Sequence, residues 1–194
     1  MYVVICSQVK YLSRDILCAR YEIPIYDSVF LKIVAQNNMA STSSSRTGSN
    51  TPFFAGERRF LGNFFYSPIQ YDNYVYKTAE HAFQAAKTFN EAEKTKIKLS
   101  ATPNVAKKLG RRVTLRADWE DIKYNIMEEI VRAKFQQNYK LMQKLVLIPD
   151  KELCEWNKHH DNIWGICVCS RCKGNKGRNW LGKILRVVKN ENST

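Results

Sequence analysis

Apolar and polar positions alternate most clearly just after residue 57. "RRFLGNFFYSPIQYDNYVYKT", residues 58–78, is aromatic and roughly period two, and Asp72-Asn73 interrupts it as a turn between two short strands. The period then lengthens. Ala79, Ala82, Phe83 and Ala86 stand at the i, i+3, i+4, i+7 spacing of a helix, with Thr78 placed to cap it. "TPNVAKKLG" carries Thr102 at a cap, Pro103 at a first helical position and Gly110 just past an end, which predicts a short helix. Asp118 is placed to cap a longer helix with Trp119, Ile122, Ile126, Ile130 and Ala133 along one side. "NYKLMQKLVLI" predicts a further helix ending before Pro149, and "KELCEWN" alternates like a strand. "WLGKILRVVK" predicts a closing helix that buries Leu181, Ile184, Leu185 and Val188. The expected class is α+β: a helix-rich single domain with a few short strands.

Upstream of residue 53 the pattern fails. Residues 37–52, "NNMASTSSSRTGSNTP", lack the apolar side chains a core needs and read as a flexible linker. Residues 1–36 form an N-terminal extension, 53–190 the main domain, and 191–194 a tail. Met39 opens "MASTSSS", which reads as an alternative start. The opening "MYVVICSQVKY" has no basic leader, and its apolar run is too short for a signal peptide or a membrane span. A cytoplasmic protein with no membrane partner is the expectation.

Charge narrows the partners. The 194 residues carry a formal net charge of +13, which favours an anionic ligand: nucleic acid, a phosphorylated metabolite or an acidic surface. Six cysteines are too few for a disulfide scaffold in a chain of this length, so reduced thiols are expected.

Two stretches carry candidate chemistry. In "YVYKTAEHAFQAAKTFN", Glu80 falls in the first turn of the predicted helix, where the helix dipole favours a carboxylate by about 0.3–1 kcal/mol. That role alone would account for it. Glu80, Gln84 and Lys87 nonetheless share a polar face at i, i+4, i+7, either solvated or lining a cleft. In "HHDNIWGICVC", Asp161 and Trp164 flank a turn at Gly165, where backbone can approach a ligand. An acid beside an indole suits a planar heterocycle; the alternative is a turn with a partly buried tryptophan. Trp119 reads equally as core, and Arg116 and Lys123 beside it offer phosphate contacts. Cys167, Cys169 and Cys172 lack the paired spacing of a zinc ribbon. A zinc site there would need Cys154, His159 or His160 as fourth ligand, so no metal is expected. The same loop brings Arg171, Lys173, Lys176 and Arg178 around two glycines, yet it matches no P-loop. The G-x-G-x-x-G, nucleophile-elbow and H-E-x-x-H patterns are all missing.

Five segments, "FLGNFFYSPI", "YKTAEHAFQAAKT", "RADWEDIKYNIMEEIVRAKFQQN", "DNIWG" and "GRNWLGKIL", occur in an order that resembles the NADAR (NAD and ADP-ribose) superfamily and its YbiA-like N-glycosidases. The resemblance runs from about Phe53 to Val188. It implies a cofactor-free enzyme that hydrolyses an N-glycosidic bond to ribose. Its implied substrate is a phosphorylated ribosyl metabolite, such as a ribosylamino-pyrimidine of riboflavin synthesis, or an ADP-ribosylated nucleotide or nucleic acid. Carried over by motif, Glu80 and Asp161 are the implied catalytic pair and Trp119 and Trp164 the implied substrate walls, with Lys87, Arg116 and Lys123 as candidates for the phosphate. The chain departs from the family at Gly62, often serine, and in the closing helix, which lacks the usual Met and final Arg. It departs again in "LVLIPDKELCEWN", although Glu155 there matches. Two other functions compete with catalysis: a non-catalytic ADP-ribose or NAD-binding module, and a basic nucleic-acid-associated protein.

Overall fold

The computed structural model describes residues 54–192. The N-terminal extension and linker expected over 1–52, Phe53 and the last two residues of the tail lie outside the described residues.

A 3-10 turn at Gly56–Leu61 opens the domain and buries Phe60 and Leu61. Strands β1 (Ile69–Tyr71) and β2 (Tyr74–Tyr76) pair antiparallel, with Ile69 opposite Tyr76 and Tyr71 opposite Tyr74. Asp72 and Asn73 both have positive φ, 48° and 62°. Two left-handed residues in succession match the right-handed twist of the strands they join, which is why an Asp-Asn pair closes this hairpin.

Helix α1 (Ala79–Ala85) starts at Thr78, whose side chain accepts the His81 N–H. Helix α2 (Glu91–Leu99) is capped by Asn90, and α3 (Pro103–Gly110) by Thr102 with Pro103 in its first turn. Gly110 is therefore the last helical residue rather than the one after it. The long α4 (Trp119–Gln136) begins after Asp118, but that carboxylate caps nothing: Arg116 takes it with two hydrogen bonds, Nε to Oδ1 at 2.6 Å and an Nη to Oδ2 at 2.8 Å. Helices α5 (Tyr139–Val146) and α6 (Trp180–Asn190) follow. "KELCEWN" is not one strand. A 3-10 turn at Asp150–Glu152 precedes β3, only Trp156–Asn157, which pairs in parallel with β4, Ile166–Cys167.

α4 is the axis of the domain, packed by α1, α5, α6 and β1. α1 lies against α2, α3 and β2 on one side of it, and α5 against α6 on the other. The core joins Ala79, Ala82 and Phe83 of α1 to Ile126, Met127, Ile130 and Phe135 of α4, and to Leu181, Ile184, Leu185 and Val188 of α6. Burial of this apolar face, rather than the propensity of a seven-residue helix, holds α1 in place. Among the described residues no helix is long and apolar enough to cross a membrane.

Candidate active site

The polar face of α1 points inward. Glu80 is only 6% exposed and Gln84 is buried with it. Gln84 Nε2 donates to Glu80 Oε1 at 2.8 Å, and the Glu80 N–H is taken by the Asn63 carbonyl at 3.0 Å. Glu80 stands in the first turn, where the helix dipole favours a carboxylate, and it is desolvated as well. Burial raises the Glu80 carboxyl above its ordinary value, opposed by Lys107, the Gln84 hydrogen bond and Lys87, and reinforced by Asp161. Its neighbour His81 takes no part. Its ring is locked between the Thr78 hydroxyl, 2.8 Å from Nδ1, and the Ser100 carbonyl, 3.3 Å from Nε2.

A second acid, half-buried, joins the first. Glu155 lies just before β3 and its carboxyl is pushed up to about 7, by burial first and then by Asp161 and Glu80, against the pull of Lys107 and Lys134. Its backbone is fixed by Asn179, whose Oδ1 accepts the Glu155 N–H at 3.0 Å while Nδ2 donates to Leu153 O at 3.1 Å. The Glu155 carbonyl accepts the Ile166 N–H at 2.8 Å. At Gly165 a Cβ would stand 2.1 Å from that carbonyl. The glycine in "DNIWG" thus allows a close approach between two backbone segments.

Asp161 is oriented by its own loop. Oδ1 accepts the N–H groups of Ile163 at 3.0 Å and Trp164 at 2.9 Å, and Asn157 braces the loop by donating Nδ2 to the Asp161 carbonyl at 2.7 Å. The Asp161 charge raises the pKa of both glutamates. Three carboxyls from α1, the segment before β3 and the 157–165 loop therefore share one electrostatic neighbourhood.

Aromatic rings tie these elements together. Phe83, one turn beyond Glu80, packs on Trp119 at 5.1 Å between centroids and meets Trp164 edge-on at 5.3 Å. Trp164 also packs on Tyr124, which packs on Trp180. Trp119 is buried and Trp164 half-buried.

The cations separate into groups. Lys87 lies just past the end of α1, its ammonium over the rings of Phe83 and Trp119; burial lowers its pKa and Glu80 opposes that. Lys107, in α3, acts on both glutamates. Lys134 is wholly buried, donates to Gly62 O at 2.8 Å and is lowered to about 7 by burial. Arg116 belongs to a different hollow, with Tyr71, Phe89, Lys94 and Glu129, and its guanidinium is committed to Asp118 and stacked on Phe89. Lys123 pairs with Glu120 on a cleft of about 550 Å³ that also takes in Tyr124, Asn162, Ile163, Lys176 and Arg178. That cleft flanks the Asp161 loop without including Glu80.

Sequence reasoning found Glu80, Asp161, Trp164 and Lys87 here but did not select Glu155 or Lys107. The match of Glu155 to the family pattern was the available signal; for Lys107, one of several basic positions on a short helix, there was none. The cysteines do converge. His160, Cys167, Cys169 and Cys172 place their ligand atoms within 4.8 Å of one another, while Cys154 and His159 stay outside the group.

The chain is similar to several known proteins. The NADAR domain family model matches residues 30–191. The N-glycosidase YbiA of Shigella flexneri serotype 5b (strain 8401) is 34% identical over 134 residues, covering 68% of this chain and 79% of that one. A riboflavin biosynthesis protein of Vibrio vulnificus (strain YJ016) is also 34% identical over 134 residues, 68% of this chain but 35% of that longer protein. The NMR structure of the E. coli protein YbiA superposes with a TM-score of 0.59 at 29% identity, covering 71% of this chain and 79% of that one. This chain belongs to the NADAR domain family.

Proposed function

We propose that this chain hydrolyses the N-glycosidic bond between a ribose, carried as ribose phosphate or ADP-ribose, and a heterocyclic base or amine. Relatives named N-glycosidases support the reaction class, a hydrolase acting on N-glycosyl bonds. The observation that carries the proposal is the convergence of Glu80, Glu155 and Asp161 beside the Phe83–Trp164 contact.

In the proposed reaction the bond from C1′ to nitrogen breaks, its electron pair leaves with the base, and the sugar develops oxocarbenium character. Glu80 takes a proton from water as the water oxygen bonds C1′; its raised pKa makes it the stronger base. Glu155, which retains its proton up to about pH 7, delivers that proton to the leaving nitrogen. Asp161, its carboxylate held in orientation, stabilises the sugar's positive charge. Trp164 walls the base, and the buried Trp119 supports Phe83 and Lys87, excluding bulk water from the acids. Lys107 and Lys87 attract the substrate's phosphate and keep Glu80 ionisable.

The substrate divides into two branches. The riboflavin-named relative favours a ribosylamino-pyrimidine, and the +13 charge favours an ADP-ribosylated nucleotide or nucleic acid. Incubation with ribosylamino-pyrimidine phosphates and, separately, with ADP-ribosylated guanosine tests both, with products read by mass spectrometry. Release of ribose phosphate or of ADP-ribose selects the branch; release of neither, by folded protein, rejects the proposal.

A further inference from the structure

We propose that His160, Cys167, Cys169 and Cys172 form a closed tetrahedral site for a thiolate-preferring divalent ion of the zinc class. The inference does not depend on the glycosidase chemistry.

The geometry comes first. All four ligand atoms lie within 4.8 Å of one another, and His160 Nδ1 is 3.3 Å from both Cys169 Sγ and Cys172 Sγ. A tetrahedral zinc with Zn–S bonds near 2.3 Å needs ligand-to-ligand separations of about 3.8 Å, so small shifts would close the shell.

The backbone has been shaped to achieve this. His160 sits at φ 62°, a left-handed conformation uncommon for a residue other than glycine. The turn it makes brings an imidazole from the 157–165 loop onto thiols that follow β4. Cys167 is buried at the end of β4, and Cys172 is buried in a 3-10 turn at Ser170–Cys172.

Charge agrees. Three thiolates and a neutral imidazole around a dication leave a net charge of −1. The surrounding loop carries Arg171, Lys173, Lys176 and Arg178 against no acidic residue from 162 to 190. Soft thiolates with one imidazole select zinc over oxygen-seeking cations such as magnesium or calcium. Four protein ligands leave no open position, so the ion is structural: it ties His160, next to Asp161, to the loop beyond β4.

The test uses the full chain, purified under reducing conditions without chelator. One equivalent of zinc per chain is expected by elemental mass spectrometry. After metal removal, cobalt(II) is expected to give the visible band of a tetrahedral centre and a near-ultraviolet thiolate-to-cobalt band. Cys169→Ser and His160→Ala should each weaken metal retention by at least about tenfold, with circular dichroism confirming that the helices persist. Chelation of the wild-type protein should lower its melting temperature, a readout that needs no variant. Failure of reduced protein both to hold zinc and to develop the cobalt bands overturns the site. So does a disulfide joining two of the three cysteines in protein isolated from reducing medium.

Discussion

Gln84 donates its side-chain amide to Glu80 across one turn of α1, at 2.8 Å, with both residues sealed from solvent. Behind that amide stands Gly110, where a Cβ would fall 2.0 Å from Gln84 Oε1 and 2.8 Å from its Cβ. The absence of a side chain at 110 lets α3 press on α1 closely enough to set the Gln84 rotamer, and through it the Glu80 carboxyl.

Gly110→Ala should therefore act at a distance. Overpacking at this contact is expected to cost about 1–3 kcal/mol of stability, read by urea denaturation, and to lower kcat more than it raises KM. Gln84→Ala should spare stability more but shift the acid limb of the rate profile upward, because the hydrogen bond that lowers the Glu80 pKa is gone.

The carboxyl cluster sets a pH dependence. Turnover needs Glu80 ionised and Glu155 protonated, so kcat/KM should fall at low pH as Glu80 gains its proton. It should fall again above about 7 as Glu155 loses its own. The three acids act on one another, so the limbs report the cluster rather than single residues. Glu155→Gln should abolish the alkaline limb while lowering the plateau about 10²–10⁴-fold.

The same residue affects stability. Folding raises the Glu155 carboxyl from 4.5 to about 7, so between those values the folded state holds more protons than the unfolded one. Stability from this group is fully present below about 4.5 and is lost as pH rises through about 7. Glu155→Gln should be more stable than wild type at pH 8, and the gap should close by pH values near 4.5, in melting temperatures across that range.

Lys134 runs the other way. Its ammonium is lowered from 10.5 to about 7 by complete burial, so between those values the unfolded chain holds more protons. Its neutral form favours folding, and stability should rise as pH climbs from about 7 toward 10.5. Lys134→Met should flatten that rise, again by thermal denaturation.

Local signals made much of the fold legible in the sequence. The Asp72-Asn73 hairpin, the Thr78 and Thr102 caps and the apolar face of α6 each lie within a few residues of the structure they dictate. Where a distant partner decides, the reading failed. Asp118 looks like a cap, but Arg116 claims its carboxylate. "KELCEWN" alternates like one strand, but Asn179, from the start of α6, and the close approach of Gly165 set its path. The candidate site divides the same way. Glu80 and Asp161 sit in distinctive motifs, whereas Glu155 is held at the site by the Asn179 side chain, 24 residues further on. Arg116 and Lys123 looked equivalent to Lys87 because charge in sequence does not reveal which ammonium lies over Phe83.

One substitution tests most directly whether the carboxylate sealed in α1 does the chemistry. Glu80→Gln keeps size and helix while removing the negative charge, and turnover can be followed on whichever ribosyl substrate the wild-type protein cleaves, in ¹⁸O-labelled water. The expected result is a folded variant that binds substrate but cleaves it about 10²–10⁴-fold more slowly, while the wild type places the label on the released sugar. A folded Glu80→Gln protein with undiminished turnover would contradict the assignment.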